Sequence, residues 1–133
     1  LGDVYKRQGV ESTTLSSEEF LRGPFLTFAK KVPGSPVAVV VRLLVAEGWR
    51  HPDLVAYYYD NVVARGLGAI RGFVERGVAR GEFRREALDL QPHLFIAPML
   101  TSILWRLVFT ERPLDTDQLI ESQVDLLLEH LAT

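Results

Sequence analysis

The chain has 133 residues, with 15 Lys and Arg against 17 Asp and Glu, a formal net charge of −2, and no cysteine. That is the length of one ordinary domain with room for a hydrophobic core. The slightly acidic balance argues against a nucleic-acid footprint on this chain, and disulfides are excluded.

The first eight residues, "LGDVYKRQ", fit no amphipathic helix leading into the rest of the chain. Written back into codons they resemble a transposase-type sequencing adaptor read in frame. Residues 1–8 are therefore expected to be an adaptor-derived scar and not native, and are set aside as a fusion seam would be. On that reading the natural gene continues upstream, and residues 9–133 form one all-helical domain.

The first helix is expected in "SSEEFLRGPFLTFAKKV", where Ser16 and Glu19 have the spacing of a capping box. Phe20, Leu21, Phe25, Phe28 and Val32 recur at threes and fours, and Gly23-Pro24 should kink or split the segment. "PGSP" then separates it from a second helix, with Ser35 as N-cap and Pro36 at the first helical position. The β-branched run "PVAVVV" could open a buried strand, but it flows without a break into "RLLVAEGWR", and length favours a helix. Pro52 and Asp53 start a long third helix that Gly81 should stop. Gly66, Gly68, Gly72 and Gly77 inside it imply a kink, close approach of another backbone, or plain tolerance within a packed bundle.

Pro92, with Asp89 or Gln91 near the cap position, should start a fourth helix. From Leu94 to Phe109 it is apolar nearly all round, so it is expected to be covered on more than one side, one of them by another subunit. Pro98 and Arg106 interrupt that run, and a membrane span needs roughly 20 mostly apolar residues, so no membrane association is expected. Asp115 and Gln118 repeat the capping-box spacing ahead of "DQLIESQVDLLLEHL". The expected fold class is all-α, a single helical bundle of about five helices.

Catalytic chemistry finds little support. His51, His93 and His130 are far apart, and none has a second His or a Cys at metal-ligand spacing, so neither metal nor cofactor is expected. Glu18 and Glu19 diverge around a helix and serve its first turn. The basic stretch from Arg71 to Arg85 is interleaved with Glu75 and Glu82, as on a solvated helix face. What stands out is large aromatic and soft apolar surface in the middle helices. Trp49, Tyr58, Phe73, Phe95, Met99 and Trp105 are the candidates for a ligand pocket between helices, the alternative for each being plain core.

The segment "RLLVAEGWRHPDLVAYYYDNVVARGLGAIRGFVERGVARGEFR", followed by "DLQPHLFIAPMLTSILWRLVF", "PLD" and "DQLIESQVDLLLEHL", resembles the C-terminal half of a TetR/AcrR-type transcriptional regulator. The similarity spans roughly residues 41–131. It implies a cytoplasmic homodimer whose helical domain holds a small lipophilic or aromatic effector. Operator DNA would be bound only through an N-terminal helix-turn-helix domain, and effector binding would relieve repression. It also implies that the last two helices pack against their copies, with Ala97, Thr101, Leu104, Leu119, Gln123 and Leu127 as seam candidates. A free-standing helical adaptor without a ligand is the alternative.

Overall fold

A computed structural model describes residues 14–133, so the expected scar lies outside the described residues. The described chain runs as five helical rods. The first is assembled from α1 (Ser17–Phe20), a π-helical turn (Leu21–Phe25) and α2 (Leu26–Lys31). Its start is the capping box: Glu19 N–H donates to Ser16 Oγ at 3.0 Å, and Ser16 N–H donates to Glu19 Oε1 at 3.1 Å. Pro24 sits within the π turn, so the missing donor widens the helix where a kink or split was expected.

A 3₁₀ turn (Val32–Gly34) leads to α3 (Pro36–Glu47), which confirms the helical reading of "PVAVVV". Ser35 precedes it but makes no side-chain cap. Its hydroxyl donates to the Val32 carbonyl at 2.7 Å, because the 3₁₀ turn brings that acceptor within reach. A second 3₁₀ turn (Gly48–Arg50) then leads into α4 (Pro52–Tyr58), another π turn (Tyr59–Val63) and α5 (Ala64–Ala79), which together make the long third rod. It ends as expected, with Gly81 at φ 74°, a conformation that favours glycine.

The glycines of α5 play different parts. At Gly77 the ring of Phe83 occupies the space a Cβ would need, so the close approach is by a side chain. At Gly68 nothing lies within 4 Å of that position.

A 3₁₀ segment (Arg85–Asp89) precedes α6 (His93–Val108), whose start carries no side-chain cap from Asp89 or Gln91. The final helix, α7 (Thr116–Leu131), has half the predicted box: Gln118 N–H donates to Asp115 Oδ1 at 3.1 Å, but the Gln118 amide turns to Ser122. The end of the chain pairs with the turn after α5 through a single antiparallel bridge, Phe83 with Ala132. Arg84 N–H donates to the Leu131 carbonyl at 2.8 Å there.

Leu21, Phe95, Ile120, Val124 and Leu131 are the most deeply buried large side chains and weld α6 and α7 to the first rod. Two ion pairs fasten the first rod to α7 at the surface, Arg22 to Asp125 at 2.9 Å and Lys30 to Glu121 at 2.7 Å. Each raises the pKa of its base through the side-chain hydrogen bond to the carboxylate. No single described helix is long and apolar enough to cross a membrane; the first two rods, Ser17–Gly34 and Pro36–Arg50, reach that length and apolarity together but are bent by 52°.

Candidate functional site

The first rod, α5 and α6 enclose a cavity of about 220 Å³. Its walls are aromatic because three helix stripes converge on it. Phe20, Phe25 and Phe28 come from the first rod, Phe73 from α5, and Phe95 and Met99 from α6. Phe73 is the hub, with ring centroids 4.9 Å from Phe20 and 6.3 Å from Phe95; Phe25 meets Phe95 edge-on at 6.2 Å. Tilted and edge-on contacts of this kind are the arrangements aromatic pairs prefer. The π turn supplies Leu21 and Phe25, and π turns recur at functional sites because the extra residue re-aims the side chains around it. Gly68 and Gly72, having no side chains, leave the α5 wall open. Arg76 stands at the same wall as its one charged residue.

Of the six pocket candidates, the structure brings Phe73, Phe95 and Met99 together around this cavity. The other three lie elsewhere. Trp49 is 80% exposed, beside an open hollow between α3 and α4, with the Arg50 guanidinium carbon 5.8 Å from its ring centroid. It lies in a 3₁₀ turn that points it away from the bundle. Tyr58 lines an open groove with Val32, Pro36 and Val40, and burial raises its phenol pKa above the ordinary value. That groove and the aromatic cavity share Phe28 as a common wall. Trp105 packs on Phe109 with centroids 4.7 Å apart and donates its indole N–H to the Arg112 carbonyl, closing the loop after α6.

Phe20, Phe25, Phe28 and Arg76 are cavity residues that the sequence did not single out. The phenylalanines form a helical stripe that reads equally well as ordinary core. Arg76 lies within a mixed-sign run that reads as a solvated face.

The second feature is the outer side of α6. Phe95, Met99, Ser102 and Ile103 turn inward, whereas Leu94, Leu100, Leu107 and Val108 are exposed, Val108 by 64%. The predicted second covered side of this helix is therefore open in the protomer. Ala97 and Thr101 lie on the exposed side, and Leu104, Leu119 and Leu127 are half-buried, Leu127 against the core. Gln123 lies differently. It is only 8% exposed and faces inward, its amide donating to the Leu94 and Phe95 carbonyls at 2.9 Å each. Those bonds engage α6 of the same chain, so this side chain is not on an outward seam.

Neither the curated proteins nor the solved structures gave a match to this chain. A family model described as tetracyclin repressor-like, C-terminal domain, does match, over residues 21–127. The match runs from the first wall of the cavity through most of α7. The chain belongs to the tetracyclin repressor-like C-terminal domain family.

Proposed function

We propose that this domain senses a small lipophilic or aromatic effector in the aromatic cavity and dimerises through α6 and α7. On this reading it is the regulatory part of a ligand-relieved transcriptional repressor in the cytoplasm. Operator DNA is contacted through an N-terminal helix-turn-helix domain, and this domain has no catalytic role. The observation that carries the reading is that α6 serves two surfaces at once. Its inner side supplies Phe95 and Met99 to the cavity, and its outer side presents Leu94, Leu100, Leu107 and Val108.

An effector wedged against Phe95 and Met99 pushes on the helix that would form the seam. Two domains held by that seam would then change their separation, to which paired half-sites are sensitive. The shift an effector can produce is limited to its differential affinity for the two arrangements. The cavity is below the range of about 300–1,000 Å³ typical of ligand pockets, so a compact occupant suits it.

The test is a titration with N-phenyl-1-naphthylamine, a neutral dye that brightens in apolar surroundings. Wild-type protein should bind it saturably. Gly68→Leu, which places a side chain on the open cavity wall, should weaken binding about tenfold or more while leaving the helical circular dichroism intact. Equal binding by both proteins would place the dye elsewhere and contradict the pocket.

A further inference from the structure

Arg76 raises a question that the apolar walls do not answer. Helix neighbours that could neutralise it stand three or four residues away, and those positions hold Gly72, Phe73, Ala79 and Arg80. No carboxylate lines the cavity, and among the described residues no ion pair reaches Arg76. Its neighbour Arg80 is engaged with the Leu15 carbonyl at 3.0 Å and lies 3.8 Å from Glu82. The Arg76 side chain folds back along α5 instead, with Nη1 3.3 Å from where a Cβ on Gly72 would stand. Glycine at 72 thus gives the guanidinium room to lie beside the cavity. As a lining residue it brings a guanidinium with five N–H donors to the cavity.

The geometry points to a small lipophilic monocarboxylate as the occupant, its hydrocarbon part among Phe20, Phe73 and Phe95 and its carboxylate on the Arg76 guanidinium. This deepens the effector reading of the same cavity and rests on it. A lipophilic cation finds no matching charge in these walls, whereas a planar carboxylate matches the guanidinium fork. The head group lies at an exposed residue, so the attraction weakens as salt rises, while the apolar contribution does not.

The experiment displaces N-phenyl-1-naphthylamine with octanoate and, separately, with octan-1-ol, an uncharged probe of the same chain length. Arg76→Gln should weaken octanoate about tenfold, in keeping with loss of a charge-assisted hydrogen bond, and octan-1-ol less than about twofold. Arg76→Lys should recover part of the octanoate affinity, since the charge returns without the fork. If Arg76→Gln weakens both probes equally, or neither, Arg76 is a solvated surface residue and the carboxylate assignment falls while the cavity stands. If the dye itself fails to bind wild-type protein, the effector reading falls and takes this inference with it.

Discussion

The Gln123 side chain replaces a helix bond that Pro98 removes. In α6 the Leu94 carbonyl would ordinarily accept from the N–H four residues on, which is Pro98 and has none. Gln123 Nε2 fills the gap at 2.9 Å and also reaches the Phe95 carbonyl. α7 thereby repairs α6 beside the cavity. Gln123→Leu should lower stability by about 1–2 kcal/mol in urea unfolding. The loss is held down because Gln123 Oε1 is itself buried without a partner, and leucine removes that cost too. An unchanged unfolding midpoint would show that the carbonyl finds another donor.

Two glycines in one helix should respond in opposite directions. Gly68→Ala meets open space and gains helix propensity, so it should stabilise by about 0.5–1 kcal/mol. Gly77→Ala drives a methyl into the ring of Phe83, which is 3% exposed, and should cost about 1–3 kcal/mol. Thermal melts of the pair check both signs.

Tyr58 makes stability depend on alkaline pH. Its folded pKa is raised above the ordinary value by burial, so the folded state favours the neutral phenol. This contribution is fully present below the unfolded pKa of about 10 and is lost as pH rises through the folded value. Tyr58→Phe should therefore lose less stability than wild type between about pH 9 and pH 11, read from urea midpoints. Parallel losses in the two proteins would contradict a desolvated phenol.

How much of the structure is legible in the sequence depends on how local each cause is. Ser16 with Glu19, Pro36, Pro52 and Gly81 announce helix ends through bonds or backbone angles within a few residues, and each marks a boundary in the structure. The all-α class and the five rods come from such signals and from apolar spacing. The cavity is half legible: Phe73, Phe95 and Met99 belong to it, but which face of α3 or α6 looks inward depends on distant packing. Trp49 falls outside it because a 3₁₀ turn carries it off the bundle, and Trp105 because it closes the loop after α6. The bonds of Gln123 to α6 are not legible locally because they answer to Pro98, on another helix. The π turn at Leu21–Phe25 has the same character: Pro24 signals a disturbance, and packing against Phe73 and Phe95 holds the rod together.

In the proposed dimer the open apolar side of α6 is covered by a second copy, so that cavity and seam share one helix. Sedimentation equilibrium at micromolar concentration tests it most directly. Wild-type protein should show twice the chain mass, and Leu107→Glu, which places a charge on that exposed side, the single-chain mass with helicity unchanged. A wild-type protein that sediments as a single chain would contradict it.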